Sequence, residues 1–327
     1  MNHYLVELHQ QIDNLLFLII SGTISVILCF WCIPQTTGIM VDSAAGLAGK
    51  YLGRDQRTLV INSSTNNPEL FSMLIAFGLG RIGGLANPLG SNFSNIYLMF
   101  VLAPIFVILK WFVRGESANI RHFYKLLVKE KALCLWHIIM SLIMFCFATF
   151  AYWCMTGVNQ FSRLNEKMPL RSGFFLLLGG IGCLVGIAIF FWFENKLKAK
   201  RIELFEEISE EEHKASWRGF LLGTVGLIAS CYFINAFFLA WSEIYSSALR
   251  EIFGAAIFAG LHYFVGSLIT SLPEMTVAIE NYERLDAPDL NTAMASASQS
   301  NMTNLAIAAL GSLLMGSFLL LGFNYKL

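Results

Sequence analysis

Charged residues are scarce in this chain. Only 13% of its 327 residues are Asp, Glu, Lys or Arg, whereas 56% are apolar, and the mean hydropathy is +0.61. An ordinary water-soluble domain carries about 25% charged residues. A soluble fold cannot bury this much apolar surface, so the composition predicts an all-α membrane protein that has the lipid bilayer as a partner.

Net charge and catalytic motifs are also lacking. The 22 Lys and Arg residues are balanced by 22 Asp and Glu residues, so no nucleic-acid partner and no acidic tail are indicated. The chain contains no HExxH or GxSxG constellation, and its Cys and His residues show no metal-ligand spacing. The sequence therefore predicts neither an enzyme nor a bound cofactor.

Long apolar runs are abundant. At about 20 residues per crossing, they predict eight membrane spans, at 14–33, 57–80, 84–112, 131–156, 171–194, 216–241, 252–280 and 290–322. The seven tryptophans fall near the ends of these spans, as expected for a residue that favours the membrane interface. The first span is expected to be retained, because Met1–Asp13 has no basic region typical of a signal peptide.

Basic residues are distributed unevenly between the predicted loops. Alternate loops hold 16 of the 22 Lys and Arg residues, and the positive-inside rule makes these loops cytoplasmic. The charged segment 196–218 then becomes the largest cytoplasmic connection, with both termini outside a cell (inner) membrane. It divides the chain into a first half, 1–195, and a second half, 219–327.

Each half contains the same ordered pattern. The first copy has SAAGLAGKYLG at 43–53, STNNPE at 64–69 and GSNFSN at 90–95, and the second has YSSALREIFG at 245–254, ITSLPE at 269–274 and QSNMTN at 299–304. The odd number of spans between the copies places them in opposite orientations. The sequence thus predicts two inverted-topology repeats, at about 57–112 and 252–322, with a binding site near the membrane midplane.

A glutamate follows a proline in each copy. Glu69 and Glu274 lie inside apolar spans, where an ionisable side chain is a functional hypothesis by default. Pro68 and Pro273 each free a carbonyl oxygen in the preceding helical turn. Carboxylate and carbonyl oxygens together are ligands for a hard cation such as Ca²⁺.

Four-residue spacings extend this ligand set, because residues four apart share a helix face. The pairs are Thr65 with Glu69, Thr270 with Glu274, Ser91 with Asn95, and Ser300 with Asn304. Together the repeats present about ten oxygen-bearing side chains, enough for the 6–8 ligands of Ca²⁺ or for smaller Na⁺ sites. The alternative interpretation is that the Ser and Asn side chains only join neighbouring helices.

These elements resemble the alpha repeats of the cation/calcium exchanger superfamily, whose pattern is roughly G-T-S-x-P-E followed by G-N-x-x-G-S-N-x-x-N. The resemblance implies sodium-driven calcium exchange by alternating access, with Ca²⁺ and a monovalent cation as the transported partners. It also implies a metal-ligand set at the matching positions, namely Thr65, Asn66, Glu69, Ser91, Asn95, Thr270, Ser271, Glu274, Ser300 and Asn304.

Departures from the family pattern leave alternatives open. Asn66 stands where the family usually has Ser, Ser296 where it usually has Asn, and Gln299 where it usually has Gly. Family members also commonly have two further helices after the second repeat, which this chain is expected to lack. Exchange against H⁺, or a cation-binding regulatory protein without transport, therefore remain alternatives, and the coupling ion, stoichiometry and oligomeric state stay open.

Overall fold

The computed structural model of the chain describes residues 2–51, 64–162, 169–200, 215–254, 256–323 and 325–326. Within these ranges every regular element is a helix. The first-half helices are α1 Asn2–Gln11, α2 Asn14–Ile27, α3 Ile33–Tyr51, α4 Asn67–Gly78, α5 Ala86–Tyr97, α6 Ala103–Val113, α7 Ser117–Lys129, α8 Lys131–Ser162 and α9 Pro169–Lys200. The second-half helices are α10 Trp217–Ile244, α11 Ser246–Phe253, α12 Ile257–Leu261, α13 Ser267–Thr270, α14 Leu272–Glu283 and α15 Ala287–Leu320.

Six helical stretches in the described residues are long and apolar enough to cross a membrane. They are Asn14–Tyr51, Ile82–Val113, Lys131–Gly157, Ser172–Asn195, Trp217–Ile244 and Asp289–Leu320. A seventh is possible if Ser246–Phe253 and Ile257–Glu283, which meet at 69°, form one broken span. This architecture is that of an all-α, multi-pass membrane protein, but the predicted count of eight spans is not confirmed.

The second predicted span, 57–80, accounts for part of this difference. Its described part contains α4, which has only 12 residues and is about 18 Å long at 1.5 Å per residue. A membrane core is about 30 Å thick, so α4 alone is too short to cross it. Residues 52–63 lie outside the described ranges.

The first predicted span ends too early at residue 33, because the helix continues through Pro34 to Tyr51. A π-turn at Leu28–Cys32 comes directly before this proline, and the N–H of Ile33 bonds to the Leu28 carbonyl five residues back. The same arrangement precedes Pro104, where Ala103 bonds to Leu98. The wider π-turn accommodates a residue that cannot donate, so the helix continues instead of ending.

The two Pro-Glu elements form matching helix starts. α4 and α14 both have 12 residues and carry their proline in the first turn. The residues just before them have nearly the same backbone angles, φ −89° and ψ 7° at Asn66 and φ −89° and ψ 2° at Ser271. A proline at a helix start loses no intrahelical hydrogen bond, so it sets the start of each short helix. The predicted release of a carbonyl oxygen before each proline is therefore not confirmed.

α5 lies deep in the molecule, against the π-turn His262–Gly266. A Cβ atom on Gly90 would lie 2.2 Å from the Tyr263 carbonyl oxygen, so only glycine allows the two backbones to approach this closely. Leu85 and Leu89 pack beside it in the largest apolar cluster. This contact fixes α5, and with it Ser91 and Asn95, against the second half of the chain.

The predicted cytoplasmic linker 196–218 falls mostly outside the described ranges. α9 ends at Lys200 and α10 begins at Trp217, and residues 201–214 between them are not described. The orientation of the helices in the membrane and the inverted relation of the repeats therefore stay predictions.

Candidate cation-binding site

All ten predicted ligand residues are buried. Glu69 is 0% exposed and Glu274 is 2% exposed, and none of the other eight exceeds 8%. They come from α4, α5, α13, α14, α15 and the turns before the two short helices. Burial of so many polar side chains in an apolar helical protein requires that they satisfy one another or bind a polar partner.

The Glu69 carboxylate is contacted by both halves of the chain. It lies in the first turn of α4, and the hydroxyl of Ser91 on α5 donates a hydrogen bond of 3.1 Å to its Oε1 atom. The hydroxyl of Thr270, from the second half, also interacts with this carboxyl group. Its other oxygen, Oε2, has no well-formed hydrogen bond within the described residues.

The Glu274 carboxyl group interacts electrostatically with that of Glu69, so the two acidic side chains belong to one buried cluster. It lies in the first turn of α14, and neither of its oxygens accepts a hydrogen bond from another described residue. Among those residues no Lys or Arg interacts with either carboxylate. The described part of the chain thus places two acidic groups together in its interior without a Lys or Arg side chain that interacts with either.

A chain of amide and hydroxyl groups lies beside the carboxylates. Ser300 donates to the Asn66 Oδ1 atom at 2.8 Å. Asn95 donates through its Nδ2 atom to Ser300 Oγ at 2.8 Å and to Asn301 Oδ1 at 3.0 Å. These bonds connect α5 and the turn before α4 to α15, which the motif pattern alone predicted to be neighbours.

The remaining predicted residues take different positions. Thr65 is buried in the turn before α4. Ser271 stands at the start of α14, and its hydroxyl has no hydrogen-bond partner in the described part of the chain. Asn304 follows Ser300 by one helical turn, and the same holds for both polar atoms of its amide. Ser271 and Asn304, like Glu274, therefore retain unused ligand atoms.

Sequence reasoning missed several polar contacts between the two halves. Ser94 and Ser267 share a hydrogen bond of 2.9 Å between their hydroxyl groups. Asn301 donates to the main-chain oxygen of Asn92 at 3.2 Å. Asn92 and Asn301 occupy the same position in the two Ser-Asn motifs, so the repeat itself was the available signal. Their role is the one that the alternative interpretation assigned to such residues, joining helices.

Asn235 on α10 was also missed. It is fully buried and donates to the main-chain oxygen of Ser72 at 3.3 Å and to the Ser72 hydroxyl at 3.2 Å. Ser72 lies on α4, one turn after Glu69, so this amide fixes the short helix in place. The available signal was a single amide side chain in a mainly apolar span. Burying such a side chain in a membrane is unfavourable unless it forms hydrogen bonds or has a function.

The donor set indicates which cations fit. Within the described residues, no three His, Cys, Asp or Glu side chains group closely enough to hold a metal ion. A cation at Glu69 and Glu274 would complete its shell from hydroxyl and amide oxygens, and the Ser271 hydroxyl and the Asn304 amide oxygen, which have no partner among the described residues, are of these two kinds. Hard ions such as Ca²⁺ and Na⁺ prefer these ligands, whereas softer transition metals prefer nitrogen and sulfur.

Similarity to known proteins gives no assignment. Comparisons with models of known protein families, with curated proteins and with solved structures found no match to this chain. The resemblance to cation/calcium exchangers therefore depends on the repeated motifs alone.

Proposed function

We propose that this protein is a secondary cation antiporter that exchanges Ca²⁺ for Na⁺. One observation carries the proposal: the carboxylates of Glu69 and Glu274, from the first turns of two short helices, are buried together without a described basic partner. Burying uncompensated charge is strongly unfavourable, so such a pair is kept where a cation neutralises it. Both glutamates then have a reason to lie in the membrane interior.

Charge balance favours a divalent ion as one of the two substrates. Two carboxylates supply two negative charges, which match the charge of Ca²⁺. This ion binds 6–8 oxygen ligands and tolerates irregular coordination geometry. Ser91 and Thr270 contact the Glu69 carboxyl group, so their oxygens lie within the same cluster. Na⁺ uses the same kinds of oxygen and can compete for the same atoms, which is what exchange at a shared site requires.

The helix arrangement favours transport over simple binding. α4 and α14 begin at equivalent Pro-Glu positions, and helices interrupted in this way form the ion sites of many secondary transporters. The ligands come from both halves of the chain, so relative movement of the halves would expose the cluster first to one side and then to the other. Alternating access follows from the predicted inverted repeats.

A proton is the alternative coupling ion. A buried carboxylate can be neutralised by a proton as well as by a metal cation, and the absence of a described basic partner at Glu274 leaves both routes open. The further alternative is a regulatory protein that binds Ca²⁺ at this cluster and moves nothing.

The test is Ca²⁺ uptake by proteoliposomes that contain the purified full-length chain. An outward Na⁺ gradient and an outward H⁺ gradient are imposed in separate experiments, with a third arm that has no gradient. Uptake driven by the Na⁺ gradient alone is the expected result. Uptake driven only by the H⁺ gradient would assign the alternative coupling ion, and Ca²⁺-dependent thermal stabilisation without uptake under either gradient would identify the regulatory protein.

A further inference from the structure

The helix α7 presents a basic surface that the cation site does not use. Arg121, Lys125 and Lys129 follow one another at four-residue intervals and are all exposed, so they form one stripe along the helix. None of the three forms an ion pair within the described part of the chain. We name these three residues the basic stripe.

An exposed apolar strip adjoins the basic stripe. Tyr124 is 69% exposed and Val128 is 53% exposed, and at 100° per residue both lie beside Arg121 on the helix surface. The acidic residues Glu116 and Glu130 flank α7, and the helix itself contains no Asp or Glu. The outward face of α7 is thus apolar along one edge, basic along the next, and without acidic groups.

The opposite face of α7 packs against the protein. Phe123 and Leu126 are buried there, and the Phe123 ring contacts the rings of Trp111 and Tyr282 edge-on, at centroid distances of 5.8 and 5.7 Å. α7 is therefore held firmly to the body, and its basic stripe has a fixed direction.

The chain places α7 at the membrane surface. It follows the candidate span Ile82–Val113 after three residues and precedes the candidate span Lys131–Gly157 by one residue. A 13-residue helix between two such spans lies close to the lipid headgroups. An apolar edge that enters the acyl boundary, next to a basic edge at headgroup level, is the pattern of helices that bind anionic membranes.

We propose that the basic stripe of α7 binds the headgroups of anionic phospholipids in the adjacent leaflet. Charge complementarity selects this occupant, because three cations at one level match a leaflet that carries negative headgroups and not one of neutral lipid. Tyr124 and Val128 favour a lipid over a soluble anion, since they contact acyl chains that a soluble anion lacks.

The helix α7 that would contact lipid is also connected to the end of α14, the second of the two short helices. His122 on α7 hydrogen-bonds to the Leu285 carbonyl oxygen at 3.1 Å, and Lys110 at the end of α6 pairs with Glu283. Leu285 has a positive φ of 61°, which is strained for a leucine. Lipid that holds α7 therefore also supports the turn at the end of α14, the helix whose first turn contains Glu274.

The experiment measures the thermal unfolding midpoint of the full-length protein in detergent micelles that contain either phosphatidylcholine or phosphatidylserine. The test variant is the triple substitution Arg121→Gln, Lys125→Gln and Lys129→Gln. The matched control removes three exposed basic residues elsewhere, by Lys50→Gln, Arg218→Gln and Arg250→Gln. All three proteins are compared in low salt and in high salt.

Phosphatidylserine is expected to raise the unfolding midpoint of the wild-type protein and the control by several degrees more than phosphatidylcholine does. The triple variant should lose most of this difference, and high salt should reduce it in the other two proteins. An equal phosphatidylserine effect in the triple variant would overturn the proposal. So would an equal effect of glycerophosphoserine, which has the headgroup without the acyl chains, because the site would then bind a soluble anion.

Hydrogen exchange supplies a second readout that is independent of unfolding. Amides in the turn between α14 and α15 are expected to exchange several-fold more slowly in bilayer discs that contain phosphatidylserine than in discs of phosphatidylcholine. The triple variant should show no such difference, and a difference of wild-type size would also contradict the proposal.

Discussion

The two Pro-Glu elements have the same backbone and different surroundings. Around Glu69, Ser91 donates to the carboxylate, and Asn66 is bonded to Ser300. Around Glu274, both carboxylate oxygens and the Ser271 hydroxyl have no partner from another described residue. The two Pro-Glu elements thus differ: one carboxylate accepts a side-chain hydrogen bond, and the other carboxylate has no partner from another described residue.

This difference separates two roles that the motif pattern combined. Hydrogen-bonded amides such as Asn95 hold the halves together, whereas unpartnered oxygens such as those of Glu274 can bind a cation without first giving up a protein contact. The comparison predicts that substitutions in the first element change stability as well as transport. Substitutions in the second should change transport alone.

The largest expected effect is loss of transport in Glu274→Gln. The variant removes one of two acidic ligands, and Ca²⁺ flux in proteoliposomes should fall at least about 100-fold, equivalent to ~2.7 kcal/mol. Folded yield and thermal stability should be unchanged or higher, because Gln is similar in shape and the buried charge is gone. Glu280→Gln, at an exposed position on the same helix, is the matched control and should keep wild-type flux.

Glu69→Gln should also abolish flux, with Ser91 still able to donate to the side-chain carbonyl oxygen of the introduced glutamine. Normal Ca²⁺ flux in one variant would remove that glutamate from the site. Normal flux in both would remove the proposed exchange mechanism.

The next largest effect separates two asparagines at equivalent motif positions. Asn95→Ala loses bonds to Ser300 and Asn301 and leaves buried partners unsatisfied, so the free energy of unfolding should fall by about 2–3 kcal/mol. Asn304→Ala loses no described hydrogen bond and should cost only about 1 kcal/mol of packing. Denaturant titrations in mixed micelles measure both values, and equal losses would contradict the division between joining and ligand residues.

The hydrogen bonds that hold the short helices α4 and α14 in place also differ. Asn235→Ala removes the amide that bonds to Ser72 in α4, and we expect a loss of about 1–2 kcal/mol in the free energy of unfolding. Tyr282→Phe removes a 3.1 Å bond to the Met99 carbonyl oxygen at the far end of α14 and should cost about 1 kcal/mol. Limited proteolysis should then show faster cleavage within α4 in Asn235→Ala only. Faster cleavage within α14 in both variants would contradict the assignment of Asn235 to the support of α4.

The smallest effect concerns two serines. Ser91→Ala removes the donor to Glu69 and should lower the free energy of unfolding by about 1 kcal/mol. Ser271→Ala removes a hydroxyl without a described partner and should change it by less than about 0.5 kcal/mol. If Ser271 binds the cation, Ser271→Ala should also raise the KM for Ca²⁺ transport. An unchanged KM would exclude Ser271 from the ligand set.

Much of the candidate site could be predicted because it depends on local chemistry. The apolar runs, the Pro-Glu pairs and the four-residue spacings are properties of short segments, and all ten residues chosen from them are buried in the structure. The contact of Ser300 with Asn66 and Asn95 was not local, yet the duplication predicted it, since equivalent segments of two repeats pack against each other.

Element lengths were less predictable. The first predicted span ends at residue 33, where the apolar run ends, whereas the helical stretch continues past Pro34 to Tyr51. No sequence pattern predicts such a π-turn, because its formation depends on how the neighbouring helices pack. The predicted span 57–80 includes the short helix α4 and residues 57–63, which lie outside the described ranges.

The sequence by itself determined that this chain is an all-helical membrane protein and where its buried carboxylates lie, because apolar content and proline positions act over a few residues. Only the tertiary structure decided which polar atoms are used and which are free. Asn95 and Asn304 are equivalent in the motif, but the first meets Ser300 and Asn301 and the second meets no described partner. Hydrogen bonding between distant segments depends on packing distances of a few tenths of an ångström, and no short-range pattern encodes those distances.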